Sequence, residues 1–347
     1  MNIKAATKSE MVAKAKSLCS GTTAGIPTSP NAALNPRGSD FQGRLSAASQ
    51  LDGVNSMDTD SQSLVSFPAT VDWLYAGLVQ SASRHPGYEP EPGLGGTLLY
   101  AGELEGPGSA LVVAGNIAGA ASLAASADVA RQKQAIRDGV IDFLVTTLDE
   151  ALRIFKNEIR KREAVAVCVT QPPEAVEREM VELGVLPDLL PPGVLDAPAY
   201  KVFLDQGARQ VNPVSASGSH TVLTWKVSTE PARWFPKLDA MAEDCLRSSR
   251  AAEAWSAQRW LRLSPRYLGR LAQGGRLLRC DAQAAKCFLA KVREQVAQGT
   301  MTVPVEIHLS SGSKTELHLI SPNNAMAAGE EVNLEERRPF QSGPTIQ

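Results

Sequence analysis

The stretch Asp138–Leu190 constrains this chain most, because its short apolar runs and amphipathic runs alternate as a parallel α/β layer demands. Val140–Val145 is apolar and partly β-branched, which predicts a buried strand. Leu148, Leu152, Phe155 and Ile159 recur at helical spacing, with Asp149 and Glu150 in the first turn and Arg160, Lys161 and Arg162 in the last. Val165–Val169 predicts a second buried strand. Val176, Met180 and Leu183 form another apolar stripe, closed by Gly184, and a third strand begins near Leu190. Strand–helix–strand–helix with short loops implies right-handed crossovers and parallel pairing. The fold class expected is therefore α/β, a Rossmann-like parallel sheet with helices on both faces.

Upstream, Val71, Leu74, Tyr75 and Leu78 predict a helix, His85–Gly96 a Pro/Gly loop and Thr97–Ala101 a strand. A glycine-rich loop, Gly102–Ser109, follows. Ala110–Ala127 is small and apolar, and reads either as one buried helix or as a strand through Ala114 with a helix from Asn116. In both cases a glycine turn meets a helix start after a strand, which presents backbone N–H groups to a phosphate. Neither Gly102–Gly108 nor Gly115–Gly119 makes a clean G-x-G-x-x-G, and close packing of small residues explains the glycines equally well.

The residues GGTLLYAG (95–102), IAGAASLA (117–124), Asp128, Arg131, DGVID (138–142), LDEAL (148–152), VAV (165–167) and ELGVLPDLL (182–190) resemble the central domain of the urocanase (urocanate hydratase) family. The resemblance spans residues 95–190. It implies a Rossmann-like domain that holds NAD, and in that family tightly bound NAD⁺ acts as an electrophile in adding water to urocanate during histidine breakdown. Carried onto this chain, the cofactor-binding candidates are Gly102, Gly106, Gly108, Gly115, Asn116, Gly119, Asp128, Arg131, Thr170 and Gln171. Several family features are replaced. The acidic residue closing the second strand falls near Ser126, with Asp128 the nearby carboxylate. The Gly-Asn pair of the later strand becomes Gln171-Pro172, and the polar run after Pro-Asp becomes Leu190–Pro198. No segment matches the family's catalytic cysteine. The resemblance therefore implies either a urocanase-like protein binding NAD or a related phosphorylated ligand, with hydratase or lyase chemistry, or a non-catalytic relative serving as a binding or regulatory module.

Composition divides the rest. Residues 1–62 are rich in Ser, Ala, Asn, Gly and Thr and hold one Phe but no Trp or Tyr, so they are expected to stay disordered. Met57 marks the change and is a candidate start of the folded chain. Residues 63–215 are read as the Rossmann domain with its lead-in, 216–321 as a basic, mostly helical C-terminal part with a β-hairpin, and 322–347 as a loose tail. In the C-terminal part His220–Val227 alternates as a strand and Phe235–Arg270 reads as helical. Asp281–Val296 is a helix capped by Asp281, and Thr302–Leu309 with Thr315–Ile320 forms the hairpin. Between Lys226 and Arg293 there are 14 Lys/Arg against 6 Asp/Glu. These are read as solvated arginines covering apolar surface, or as a face for a small anionic or phosphorylated ligand; no reader motif supports nucleic acid.

The net charge of −2 argues against a polycation, no stretch reads as a membrane span, and homodimerisation is left open. Five cysteines without a paired spacing fit a reducing, cytoplasmic setting. His308 and His318 could approach across the hairpin, but without a third ligand no metal is expected. His85 is a candidate base lacking a partner, and Cys245 and Cys280 read as ordinary buried thiols.

Overall fold

A computed structural model describes residues 59–83, 93–191, 198–211, 220–247, 251–312 and 314–322, all within the unit Gly53–Gln347. Residues 1–58 and 323–347, and His85 with its loop, lie outside the described residues.

The wholly apolar run Val165–Val169 forms strand β4 at the positions expected, buried throughout. Around it the chain lays β1 (Leu98–Glu103), β2 (Ala121–Ala125), β3 (Phe143–Val145), β5 (Leu189–Leu190) and β6 (Arg209–Gln210) into one sheet, ordered β3-β4-β2-β1-β5-β6. Every pairing in it is parallel. The crossovers are the helices α2 (Gly106–Ala118), α3 (Val129–Arg137), α4 (Leu148–Lys161), α5 (Pro173–Leu183) and α6 (Pro198–Asp205); α1 (Thr59–Ser83) precedes β1.

Local chemistry sets the helix boundaries. Thr147 caps α4, its Oγ1 accepting from the Glu150 N–H at 3.3 Å, while the Glu150 carboxylate accepts from the Thr146 N–H at 2.9 Å. This reciprocal arrangement satisfies helix-end donors from both sides. Those hydrogen bonds from Thr146 hold the Glu150 carboxyl below its usual range. Gly184 ends α5 in the left-handed region at φ 68°.

Two expectations need correction. Val140–Val145 is not a buried strand: only Phe143–Val145 is extended, it lies at the sheet edge, and Phe143 is 48 % exposed. Val140 and Ile141 are buried, but in the turn that Gly139 makes at φ 70°. Gly102–Ser109 is not a long loop either. The helix begins at Gly106, and Ala110–Ala127 is the rest of α2, a tight turn and β2.

The C-terminal part contains an antiparallel sheet ordered β10-β9-β7-β8, from β7 (His220–Lys226), β8 (Arg276–Asp281), β9 (Val305–Ser311) and β10 (Lys314–Ile320). Helices α7 (Pro231–Leu246), α8 (Ala251–Leu268) and α9 (Ala282–Ala297) accompany it. The predicted strand, hairpin and Asp281 cap are all present, with Asp281 Oδ1 accepting from the Ala284 N–H at 2.8 Å. The expected helical run splits into α7 and α8, and β8 is an added strand.

Two apolar cores flank the parallel sheet. One joins α4, α5 and α6 to one face through Phe155, Val176, Met180 and Phe203. The other joins α1 and α2 to the second face and continues without a break into the antiparallel sheet through Trp225, Trp234, Trp260 and Phe288. Polar ties cross the same boundary. Arg279 clasps buried Asp72 of α1 at 2.6 and 3.1 Å, and Tyr75 Oη donates to the Ser256 carbonyl at 2.8 Å.

Candidate functional site

The sheet topology points to one place. Right-handed crossovers running in opposite directions put their helices on opposite faces. The β1–α2–β2 crossover leaves β1 toward β2, and the β5–α6–β6 crossover leaves β5 the other way. Hence α2 and α6 start on opposite faces beyond the adjacent carboxyl ends of β1 and β5. Such a switch point opens the crevice where α/β sheets take ligands.

The first wall is the start of α2. Glu105 is its N-cap residue but makes no side-chain cap, so the helix end is left to other partners. Gly106 has φ 35°, and a Cβ there would meet nothing within 4 Å. Its N–H finds no partner among the described residues. Gly108 is different. A Cβ on it would lie 1.9 Å from the Glu103 carbonyl oxygen, so glycine is what lets the helix start rest on the end of β1. The Gly108 N–H is also taken, donating to the Glu105 carbonyl at 2.7 Å. Pro107, between them, has no N–H to offer. The open helix end therefore presents one free N–H and the positive end of the dipole.

Charged groups surround it. Arg131 Nη1 bonds Glu105 Oε2 at 2.6 Å, and Arg131 Nε lies 3.3 Å from Asp128 Oδ2. Asp128 caps α3, its Oδ1 accepting from the Ala130 and Arg131 N–H groups at 2.8 and 3.3 Å. Thr170 and Gln171 end β4 on the same edge of the sheet. The Thr170 N–H donates to the Val145 carbonyl at 2.8 Å, and Gln171 Nε2 to the Thr146 carbonyl at 2.8 Å.

Gly102, Gly106, Gly108, Asp128, Arg131, Thr170 and Gln171 thus share the carboxyl edge. Gly115, Asn116 and Gly119 do not join them. They sit toward the far end of α2, roughly 14 to 20 Å along its axis from Gly106. A Cβ on Gly115 would meet Ser122 Oγ at 2.6 Å and Leu99 Cδ2 at 2.7 Å. Asn116 Nδ2 donates to the Val140 carbonyl at 3.3 Å, and Gly119 closes the helix at φ 96°. Arg259 of α8 reaches the same end, its Nε donating to the Ile117 carbonyl at 2.7 Å.

On the sheet face opposite α2, Tyr100 of β1, Glu177 of α5 and Tyr200 of α6 come together, a grouping the sequence did not reveal. Tyr100 Oη donates to Glu177 Oε1 at 3.0 Å, and the Tyr100 and Tyr200 rings lie 6.2 Å apart. Burial raises the Glu177 carboxyl, and burial with Glu177 nearby raises both phenols. Single polar letters in apolar stripes carry no signal of their mutual approach.

Three arginines of the arginine-rich stretch are engaged within the protein. Arg276 bonds Asp239 at 3.2 Å and stacks over Phe235, while Arg259 and Arg279 bind inward as above. His308 pairs with Leu317 and His318 with Ile307, so the two histidines point to opposite faces of the hairpin. That corrects their expected approach. The Cys168, Cys245 and Cys280 thiols are each pushed up to about 12 by burial, which keeps them protonated at neutral pH.

Among the described residues, no helix is long and apolar enough to cross a membrane. Residues 75–192, about a third of the chain and a span that contains the whole stretch 95–190, match the family model of the urocanase Rossmann-like domain.

Proposed function

We propose that the carboxyl-edge crevice binds NAD or a related phosphorylated nucleotide, and that the chain uses it as a binding or regulatory module rather than as a hydratase. The observation that carries this reading is the uncapped start of α2 at the switch point, open at Gly106 and flanked by the Arg131 guanidinium. These residues fit a single phosphate oxygen held by the Gly106 N–H and the helix dipole. Arg131 would meet it by exchanging Glu105 for the ligand, since both compete for Nη1. Asp128 keeps carboxylate lone pairs for a ribose hydroxyl while capping α3. Bound NAD⁺ would supply an electrophilic nicotinamide ring. The module reading is supported by the sequence, in which no segment matches the family's catalytic cysteine.

Calorimetric titration of the full chain with NAD and with ADP-ribose tests this, together with urocanate absorbance under saturating NAD. Binding heat at a single site with constant urocanate absorbance is the expected result. No heat with either nucleotide overturns the binding assignment. An NAD-dependent loss of absorbance overturns the module assignment in favour of a lyase.

A further inference from the structure

The sheet edges are not alike. β3 and β6, at the edges of the parallel sheet, have three and two residues, and β8 carries Arg276 and Arg279. β10 is seven residues long, contains no proline, and leaves Leu317 40 % and Leu319 63 % exposed. An edge of this kind offers unpaired N–H and C=O groups as a template for another strand. The hairpin fixes which groups are offered. Ser311 and Lys314 are partners with only two residues between them, so they form the hydrogen-bonded pair that closes the turn. Counting on from Lys314, Glu316, His318 and Ile320 bond inward to β9, while Thr315, Leu317 and Leu319 turn their backbone groups outward. Those outward N–H groups have no partner among the described residues.

A side chain at the same edge is also incomplete. Arg293 Nη2 of α9 lies 3.3 Å from His318 Nδ1. A guanidinium only donates, so Nδ1 accepts and the proton of the neutral ring sits on Nε2. That Nε2 is buried and has no hydrogen-bond partner among the described residues. The Glu316 carboxylate of the same strand stops 3.6 Å away, on a side chain that is 66 % exposed. The edge thus presents an unused donor and a carboxylate two residues apart.

We propose that β10 pairs antiparallel with β10 of a second copy of this chain, about a twofold axis at Leu317, joining the two four-stranded sheets into one. In this register Leu317 meets its own copy and Thr315 meets Leu319, so every outward group is used, in about six hydrogen bonds. Glu316 stands opposite the partner subunit's His318, in a pair without backbone bonds, where side chains approach most closely. Each His318 Nε2–H gains a carboxylate, twice over by symmetry. The neighbouring registers lack this complementarity. An axis at Glu316 sets two carboxylates against each other, and an axis at His318 brings the two Arg293 guanidinia together. Leu317 and Leu319 of both copies join into one apolar strip on the other face. The inference is independent of the nucleotide reading, because β10 lies outside residues 75–192.

Light scattering of the full chain across a concentration series tests it, with Leu317→Pro, Glu316→Lys, His318→Glu and the double charge variant alongside. The wild type reaches the mass of two chains. Leu317→Pro removes an outward N–H that β9 does not use, so it stays folded by circular dichroism but has the mass of one chain. Each single charge variant sets like charges opposite each other in two symmetry-related pairs and weakens dimerisation about tenfold. The double variant exchanges the charges and restores it. Should Leu317→Pro unfold, the charge series decides alone. A wild type that remains a single chain at the top of the series overturns the inference, whether the edge stays open or another segment of the chain covers it. A dimer indifferent to the charge variants, or to a folded Leu317→Pro, overturns it as well.

Discussion

The two ends of α2 look alike in sequence and differ in the folded chain. Gly106 and Gly108 stand at one end, in EGPGS, and Gly115 and Gly119 at the other, in AGNIAGA. At the first end a side chain on Gly106 would meet open space, and the N-cap residue leaves the terminus uncapped. At the second, Gly115 is pressed against Ser122 and Leu99, Gly119 completes the turn, and Arg259 binds the Ile117 carbonyl. A glycine can mark the close approach of backbone to a ligand or of backbone to protein. What separates the two here is the end of the strand each lies beside. The carboxyl edge of a parallel sheet opens into a crevice, whereas the other edge is covered by the C-terminal layer.

The closed end depends on that layer staying docked, so the largest effect is expected from breaking its tie to α1. Arg279→Ala leaves Asp72, 3 % exposed, without its guanidinium, and the loss expected is about 3 kcal/mol. The pH dependence has a definite sign. Burial already raises the Asp72 carboxyl, and Arg279 is the main group pulling it back down. In the variant the folded-state value climbs further above the unfolded one. Stability is then full in acid and lost as pH rises through the folded value. Urea unfolding should show a small penalty near pH 4 and the full penalty at pH 7; equal penalties would contradict the role given to Asp72.

Gly108→Ala comes next, at about 2–3 kcal/mol, because its Cβ meets a backbone oxygen that cannot swing aside. Gly115→Ala meets two side-chain atoms, which can yield in part, and should lose about 1–2 kcal/mol. Gly106→Ala is the smallest change, under about 1 kcal/mol, since only its backbone angle is strained. Chemical denaturation of the three variants orders them. A Gly106→Ala protein less stable than Gly115→Ala would reverse the assignment of open and closed ends.

Much of the fold was legible because it rests on local patterns. Val165–Val169 could be little else than a buried strand, and Thr147 with Glu150, or Asp281 with Ala284, are cap chemistries written in adjacent residues. Val140–Val145 misled because its apolar letters are shared between a buried turn and an exposed edge strand, a division set by neighbours distant in sequence. β8 was missed because Arg276 and Arg279 read as solvated charge. Both are in fact held by partners elsewhere, Asp239 in α7 and Asp72 in α1. The site was half legible. Gly102, Gly106, Gly108, Asp128 and Arg131 follow from the resemblance and converge on one edge, but Gly115, Asn116 and Gly119 were separated from them by the length of one helix. The Tyr100–Glu177 hydrogen bond gave no sequence signal, since its partners lie 77 residues apart.

Hydrogen–deuterium exchange of the full chain with and without saturating NAD tests the distinction between the two ends most directly. The account predicts slowed exchange at Gly106 and along 126–131 and 170–171, with no change along 115–120. Protection along 115–120, or no protection anywhere, would contradict it.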